Sequence, residues 1–387
     1  IPGQYIVVFK DSVQDVDAAA DDIEKKHGGS RIAAYHHALK GFAANLSSDE
    51  AEKVKTDPRV AFVAEDRAVS ILSKPESFRS VTSQAQVIPT GVLRVGAASS
   101  TAKGLGITVA VIDTGIDTSH PDLAGNILNT GVSCIRRTTS KDDNGHGTHV
   151  AGIIAAIDNG IGVRGVAPKA KLIPVKVLDR NGSGTWSSVI CGIDWVTANA
   201  SRYGIKVANM SLGGSGSSDG NCGNTNNDPF HKAICRSRDA GVAYVVAAGN
   251  SAVDAAKFVP AAYDDSVITI SALADSNGLS GGGGPATNYG ADDTFATFSN
   301  FGSAVDLGAP GVNIFSTWKG GSYATLSGTS MASPHVAGAV ALYLNDNPGS
   351  TWTQIRNGLQ AAGEALGFGH IDPSSLHPEP VLRVSSL

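Results

Sequence analysis

Five short apolar segments constrain the fold of this chain more than any other feature. They are rich in valine and isoleucine, and their sequences are ITVAVID, KLIPVKVL, KVANMSL, VAYVVAAG and VITISAL. Nearly unbroken apolar runs of this length are typical of strands that are buried on both faces of a parallel sheet. Segments of helical character, such as SSVICGIDWVTANA and FHKAICRSRDAG, lie between them. The pattern predicts an α/β fold with a doubly wound, mostly parallel sheet, whose ligands bind at the carboxyl ends of the strands.

Residues 1–72 follow a different pattern. A strand, a charged amphipathic helix, two strand candidates, a second helix and a last strand succeed one another. This βαββαβ order predicts a small ferredoxin-like α+β domain. Residues 73–84 are polar and lack periodicity, so we expect a linker there. Residues 85–380 should then form the α/β domain, and residues 381–387 a C-terminal tail.

Composition and charge argue against two classes of partner. The chain has 387 residues, 42% of them hydrophobic, which is enough for a large domain and a smaller one. Charged residues make up only 17%, the formal net charge is -5, and no run rich in lysine or arginine occurs. We therefore expect no nucleic-acid partner. No apolar run approaches the ~18 residues of a membrane-spanning helix, so we expect no membrane partner either.

The four cysteines form no CxxC pair and no zinc pattern with nearby histidines. They permit three alternative pairings. Cys222 and Cys235 flank the stretch GNTNNDPFHKAI, which favours a disulfide across a surface loop. Cys134 and Cys191 then form the second expected pair. Free buried thiols are the alternative.

Three polar residues stand where an α/β fold can hold chemistry. Ser330, in SGTSMASPHVAG, precedes an apolar helical run, so it either caps the helix or is a nucleophile at the helix N-terminus. Asp113 ends an apolar strand, where an aspartate can also simply cap a turn. His146 opens an apolar helix and His149 follows one turn later, a spacing that could suit a metal, although no HExxH ligand set accompanies them. The presence of all three residue types favours catalysis over three separate structural roles.

Three longer segments carry a family resemblance. VAVIDTGIDTSHPDL, HGTHVAG and GTSMASPHVAG resemble the active-site segments of subtilisin-like serine proteases, and they occur in that family's order Asp, His, Ser. The resemblance covers about residues 85–380, and residues 1–72 resemble the family's inhibitory, chaperoning propeptide. It implies a secreted serine endopeptidase that is made as a zymogen, cuts protein and peptide substrates, and has its own propeptide as an intramolecular inhibitor. We also expect a monomer.

Two alternatives belong to other functional classes. A catalytically inactive binding protein with this fold would usually have lost the aspartate, the histidine or the serine, and none is lost. A metal-dependent hydrolase would use His146 and His149 and would be silenced by a chelator.

The resemblance assigns a role to each catalytic residue. Ser330 attacks the scissile carbonyl once His146 has taken its proton, and His146 later returns that proton to the leaving amine. Asp113 fixes the tautomer of the imidazole and stabilises the imidazolium. Asn250, in VVAAGN, matches the side-chain donor to the oxyanion, and the backbone N–H of Ser330 is the second donor.

The resemblance also implies where a substrate binds. Glycine-rich segments that grip the substrate backbone as an added strand suit broad specificity, although either could be a plain loop. The substrate-binding residues it assigns are Gly182, Ser183 and Gly184, then Ser211, Leu212 and Gly213, with Ala248 and Gly249 as one wall of the pocket for the residue before the cut.

Calcium is the cofactor that the resemblance implies, bound to oxygen ligands of mixed type. A first site would use the side chains of Gln86, Asp122 and Asn159 with the carbonyls of Ile157, Ile161 and Val163. A second would use the carbonyls of Asp265 and Val267 with the carboxylate of Asp306. The glycine-rich segment 277–293 is either a disordered loop or a source of further ligands through Asp292 and Asp293.

Two features of the sequence disagree about where the chain cuts itself. The length of the first domain places the scissile bond between Leu72 and Ser73, whereas AQVIP resembles a mature N-terminus that begins at Ala85. We favour Leu72 because SIL offers an apolar side chain to an apolar pocket. The steps from Leu72 to Ala85 can span about 43 Å at ~3.3 Å per residue. The linker would thus let Leu72 lie in the active site while Gln86 already reaches its calcium.

Overall fold

The computed structural model of the chain describes residues 1–79 and 85–385, with the backbone alone for residues 74–79. Its helices are α1 (Val16–His27), α2 (Ser48–Lys55), α3 (Thr90–Arg94), α4 (His146–Ala155), α5 (Trp186–Tyr203), α6 (Pro229–Asp239), α7 (Thr329–Asp346) and α8 (Trp352–Ala362), with a 3₁₀ turn at Ala255–Lys257. None of the helices in these ranges is long and apolar enough to cross a bilayer.

The strands, in chain order, are β1 (Gln4–Phe9), β2 (Ser30–Tyr35), β3 (Gly41–Asn45), β4 (Val60–Glu65), β5 (Ala68–Ile71), β6 (Lys74–Arg79), β7 (Thr108–Asp113), β8 (Val132–Ser133), β9 (Lys171–Lys176), β10 (Ser183–Thr185), β11 (Ile205–Met210), β12 (Leu212–Ser215), β13 (Ala243–Ala247), β14 (Phe258–Val259), β15 (Ile268–Ala274), β16 (Thr294–Phe295), β17 (Leu307–Pro310), β18 (Ile314–Trp318) and β19 (Ser322–Ser327).

The N-terminal domain is the predicted ferredoxin-like module. Its four strands form an antiparallel sheet in the order β2-β3-β1-β4, and α1 and α2 follow β1 and β3 as expected. Alternate residues of β1 pack into two different hydrophobic clusters. Val7 and Phe9 pack with buried residues of α1 and α2, whereas Ile6 and Val8 share a cluster with buried residues of α5. The second face of this sheet therefore packs against the larger domain.

The larger domain is the predicted doubly wound α/β fold. Its main sheet has the order β16-β15-β13-β11-β7-β9-β8, and β17 also pairs with β15. All of these pairs are parallel except β15 with β16. Helices cover both faces because alternate strand residues point to opposite sides. Val109 and Val111 of β7 pack with α4 and α7, and Ala110 and Ile112 pack with α5 and α6.

Two segments differ from their predicted description. Residues 73–84, expected as a linker, contain β6, which pairs with β19, and residues 80–84 lie outside the described part of the chain. Part of the expected C-terminal tail belongs to the core, because Val381, Leu382 and Val384 are apolar and buried. The backbone of Leu382 donates to Gly308, beside the main sheet. The boundary at residue 380 is therefore wrong by at least four residues.

Both predicted disulfides are confirmed. Cys134 is bonded to Cys191, and Cys222 to Cys235. No free cysteine remains, since these four are all that the chain contains. The alternative of free buried thiols is thereby excluded.

Candidate active site

Asp113 and His146 form a buried pair at the carboxyl end of the main sheet. Asp113 is the last residue of β7 and His146 the first residue of α4, and both are fully buried. His146 Nδ1 lies 2.8 Å from Oδ1 and 3.0 Å from Oδ2 of Asp113. A carboxylate there fixes the proton on Nδ1 and leaves Nε2 as the basic nitrogen. Within the described residues, Nε2 of His146 has no hydrogen-bond partner.

A loop that motif reasoning did not include holds His146 in place. The buried carboxylate of Asp142 accepts hydrogen bonds from the backbone N–H groups of Asn144, Gly145 and Thr148, and from the Thr148 hydroxyl at 2.6 Å. It also accepts one from Thr114, the residue after Asp113. Asp142 thus ties the end of β7 to the start of α4. The stretch KDDNG before the histidine, an aspartate pair ahead of a glycine turn, was the available signal.

His149 takes no part in a metal pair with His146. Its Nε2 lies 3.0 Å from the carbonyl oxygen of Ala324 and 3.1 Å from that of Ile314, so this nitrogen carries a hydrogen. Burial lowers the pKa of His149 to about 3, which keeps the ring neutral at physiological pH. His149 therefore ties α4 to the β18–β19 hairpin.

Ser330 lies in the first turn of α7, beside the backbone of residue 72. Its hydroxyl donates to the carbonyl of Ser211 at 3.0 Å and accepts from the N–H of Leu72 at 3.1 Å. The backbone approaches so closely that Gly328 is required. A Cβ at that position would lie 2.3 Å from the Leu72 carbonyl oxygen, and its φ of 153° is one that glycine favours.

The carbonyl oxygen of Leu72 lies between two donors. Asn250 Nδ2 is 2.7 Å away and the backbone nitrogen of Ser330 is 3.3 Å away. The orientation of the Asn250 amide is fixed from behind, because its Oδ1 accepts from both the backbone N–H and the hydroxyl of Thr329 at 2.9 Å. These two donors converge on one carbonyl oxygen, as an oxyanion hole requires. Thr329 positions one of them and was not singled out from the motifs.

The predicted substrate-binding segments surround residues 68–71 on both sides. Strand β5 pairs antiparallel with β10 on one edge and with β12 on the other. Ser183, Gly184, Leu212 and Gly213 lie on the two flanking strands, next to Gly182 and Ser211. Ala248 and Gly249 follow β13 and lead to Asn250. The structure thus brings Ser330, Asn250 and both predicted segments together around residues 68–72.

The residues predicted for the first calcium site also converge. Gln86 Nε2 lies 2.8 Å from the Ile157 carbonyl and 3.3 Å from that of Val163, and Asn159 Nδ2 lies 3.3 Å from Oδ1 of the buried Asp122. An amide turned by 180° presents oxygen instead of nitrogen to the same point. A carboxylate, two amides and carbonyls are the oxygen donors that Ca²⁺ prefers. The donor set therefore fits the ion, with the Ile161 carbonyl in the same loop.

The residues predicted for the second calcium site face two arginines, whose charge disfavours a further cation there. Arg238 donates to the carbonyl of Asp265, and Arg356 Nη1 lies 3.5 Å from Oδ1 of Asp306. Both guanidinium groups also pack over the ring of Trp352, at 5.6 and 4.8 Å. Val267, whose carbonyl was the third expected ligand, directly precedes β15, and the second site stays a prediction that the two arginines disfavour.

The glycine-rich loop of residues 277–293 is ordered by its own carboxylates. Asp292 accepts from the N–H of Gly284, and Asp293 accepts from those of Gly281 and Gly282. Oxygens of Asp275, Asp292 and Asp293 lie within 4.8 Å of one another, so this acidic group could hold a metal ion. The alternative of a disordered loop is therefore wrong.

Comparison with known proteins agrees with this geometry. Residues 104–372 match the subtilase family, and residues 4–72 match peptidase inhibitor I9. An alkaline protease of Alkalihalobacillus alcalophilus is 39% identical over 337 residues, which cover 86% of this chain and 77% of that protein. Subtilisin E of Bacillus subtilis is 36% identical over 374 residues, covering 94% and 86%. The crystal structure of a cold-adapted subtilisin-like serine proteinase superimposes with a TM-score of 0.63 at 34% identity, covering 79% of this chain and 99% of that one.

Proposed function

Because this chain belongs to the subtilase family and is a serine endopeptidase with an I9 propeptide domain, we propose that it is a secreted, calcium-stabilised protease of broad specificity that cuts itself between Leu72 and Ser73. One observation carries the proposal. The carbonyl oxygen of Leu72 lies 2.7 Å from Asn250 Nδ2 and 3.3 Å from the Ser330 nitrogen, which is the place of a scissile carbonyl.

The proposed reaction follows from the contacts of each group. The Ser330 hydroxyl turns from the Ser211 carbonyl toward Nε2 of His146, which takes its proton as Ser330 Oγ attacks the Leu72 carbonyl carbon. Asn250 and the Ser330 N–H donate hydrogen bonds that stabilise the negative charge on the carbonyl oxygen. The C–N bond then breaks, and His146 gives its proton to the leaving nitrogen, which becomes the α-amine of Ser73. Water releases the Leu72 carboxylate from Ser330 by the same steps in reverse.

The N-terminal domain is proposed to remain bound as an inhibitor after the cut. Two buried carboxylates support this. Asp194 of α5 accepts from three backbone N–H groups of the propeptide, at His36, His37 and Ala38, with the shortest at 2.6 Å. In the opposite direction, Asp66 of the propeptide accepts from both the N–H and the hydroxyl of Ser187 at the start of α5. Cutting the chain at Leu72 breaks none of these bonds.

Calcium is proposed at the first site alone, held by Gln86, Asp122 and Asn159 with the carbonyls of the loop. When bound, the ion would tie the residues after the linker to that loop. Backbone bonds already join the two, since the N–H of Gln86 donates to the Gly160 carbonyl at 3.1 Å. Secretion is supported by the two disulfides, which persist in oxidising environments. We also propose that the enzyme acts as a monomer.

The inactive binding protein is not favoured. The aspartate, histidine and serine are all present, the first two are paired, and an oxyanion hole stands beside the third. A protein kept only for binding has no need of these contacts.

Replacement of the nucleophile tests the proposal. Ser330→Ala should leave the precursor as one uncut chain, and a serine-directed fluorophosphonate should label the wild type but not the variant. Ser350→Ala, on a half-buried serine whose hydroxyl donates to the Asn347 carbonyl, is the control and should process normally. N-terminal sequencing of the first wild-type product should begin at Ser73. Self-cleavage by Ser330→Ala would contradict the assigned nucleophile, and Ala85 as the first-formed terminus would contradict the assigned bond.

A further inference from the structure

The segment that follows Leu72 is paired with another strand. Strand β6 pairs antiparallel with β19, with Lys74 opposite Ser327, Ser77 opposite Thr325 and Arg79 opposite Tyr323. One residue of β6 is bulged between the first and second of these pairs. The added strand therefore extends to the seventh residue after the proposed scissile bond.

Strand β19 is a fixed edge that belongs to the catalytic framework. On its other side it pairs with β18 from Ser322 to Leu326. The hairpin of β18 and β19 is tied to α4, which His146 begins, by the His149 contacts and by the Thr317 hydroxyl, which donates to the Thr148 carbonyl at 2.7 Å. At its end β19 leads through Gly328 to Ser330. The position of this edge is therefore set by the same elements that position the catalytic histidine and serine.

Among the described strands, β6 alone covers the outer edge of β19. Without β6, the backbone N–H and C=O groups of β19 on that side would have no strand partner. Such an edge accepts an extended peptide through main-chain hydrogen bonds, with little regard to side chains. This is the property that an enzyme of broad specificity needs on the carboxyl side of the scissile bond.

We infer that the outer edge of β19 is an extended binding site for the part of a polypeptide substrate that follows the scissile bond, reaching the seventh residue, and that residues 74–79 occupy it in the precursor. The inference rests on the proposed function. After the cut at Leu72, the segment from Ser73 stays covalently joined to the catalytic domain and lies on this edge. It then competes with long substrates until a further cut, such as one before Ala85, removes it. The two cleavage signals in the sequence correspond to these two steps.

Peptides of different length test the inference. AVSIL-SK and AVSIL-SKPESFR share residues 68–72 before the bond and carry two or seven residues after it. They are assayed with enzyme whose N-terminus is Ser73. In a Ser77→Pro/Phe78→Pro variant, β6 loses two backbone N–H groups and should leave the edge, so kcat/KM for the long peptide should exceed that for the short one by about tenfold. In the control Ser77→Thr/Phe78→Tyr, which keeps the strand, the ratio should stay near one.

A ratio near one in the proline variant would overturn the inference. Hydrolysis of the short peptide is the separate measure of the proposed function, because AVSIL-SK does not reach beyond Lys74. Its loss would contradict the catalytic assignment, whereas its retention with no length effect would contradict the β19 site alone. Should the proline variant not fold, amide exchange of the Ser330→Ala precursor provides a second test. Residues 77–79 should be protected, and exchange at the rate of an unfolded peptide would overturn the inference.

Discussion

The catalytic cleft and the glycine-rich loop both bury an aspartate, and they surround it differently. Asp113 faces His146 Nδ1 at 2.8 Å and also accepts from the N–H of Thr114 at 2.7 Å. Asp275, under the loop, accepts at 3.1 Å from the single N–H of Gly278 and lies beside a second carboxylate, Asp293. Burial and, after it, the charge of Asp293 raise the pKa of Asp275 to about 7.

The comparison shows that two carboxylates buried to a similar depth can differ in what they do because their partners differ. A carboxylate that faces N–H donors can orient or bind another group. One that faces another carboxylate takes up a proton instead, and its charge becomes a cost to the folded state. Asp194 and Asp122 belong to the first kind, since each accepts backbone N–H bonds. The four aspartates therefore give a graded series of predictions.

The largest effect is expected at Asp113. Asp113→Asn should slow self-cleavage by about 10⁴-fold, because an amide stabilises the wrong imidazole tautomer and cannot balance the imidazolium charge. The rate constant for loss of the uncut precursor measures this. Asp117→Asn is the matched control: Asp117 is also buried near the cleft, but it accepts from Ser119 and Gly320 rather than from His146. Less than a tenfold difference between the two variants would show that the His146 contact does not carry the catalysis.

At the interface, Asp194→Ala should weaken inhibition by the cleaved propeptide about ten- to a hundredfold. Hydrogen bonds to a charged group contribute about 1.5–3 kcal/mol, and this change leaves three backbone N–H groups without their acceptor. The measurement is the lag before activity appears after the cut, which should shorten. Asp346→Ala, on an exposed aspartate at the end of α7, should leave the lag unchanged. An unchanged lag for Asp194→Ala would mean that the other contacts of the propeptide, through β5, Asp66 and its packed sheet face, hold it without Asp194.

Removal of calcium should have a smaller effect. It is measured as the thermal stability of the Ser330→Ala precursor, which is used because it avoids autolysis. An ion that binds only the folded state stabilises it by about 2.7 kcal/mol when present at a hundred times its dissociation constant. EDTA should therefore lower Tm by roughly 3–4 °C in a chain of this length. Asp122→Asn should abolish this difference, whereas Asp158→Asn, on an exposed residue of the same loop, should retain it. Equal melting of the wild type with calcium and with EDTA would refute the first site.

The sequence predicted the candidate site best where the functional residues lie in contiguous motifs. Asp113, His146 and Ser330 each lie in a long motif, and the alternating apolar segments predicted the sheet that brings them together. Asp142 and Thr329 were not singled out because their roles depend on which backbone groups the fold places around them. The same limit applies to Asp194, whose three donors come from the other domain.

Strand β6 was missed because its pairing is decided by a partner far away in the chain. A polar segment without periodicity does not indicate a strand. An edge strand can still have such a sequence, because it pairs with only one neighbouring strand. The second calcium site is disfavoured for a related reason. Its predicted oxygens are present, but Arg238 and Arg356 come from two helices that no motif linked to them. The sequence supplied the residue types, but it could not predict the contacts between distant segments.

The smallest effect is expected at Asp275, in the metal-free Ser330→Ala precursor. Its carboxyl has a pKa of about 7 in the folded protein, against 3.8 as the ordinary value. Between these values the folded state holds a proton that the unfolded state has lost, so stability falls as pH rises through this window and the full cost is present above pH 7. Asp275→Asn removes the charge and keeps an acceptor for Gly278. It should raise Tm at pH 8 by a few degrees, corresponding to about 1–2 kcal/mol, and by less at pH 5. Asp346→Asn should show no such pH dependence. A gain for Asp275→Asn that is equal at the two pH values would mean that the buried carboxylate keeps its charge, and the contrast with Asp113 would then fail.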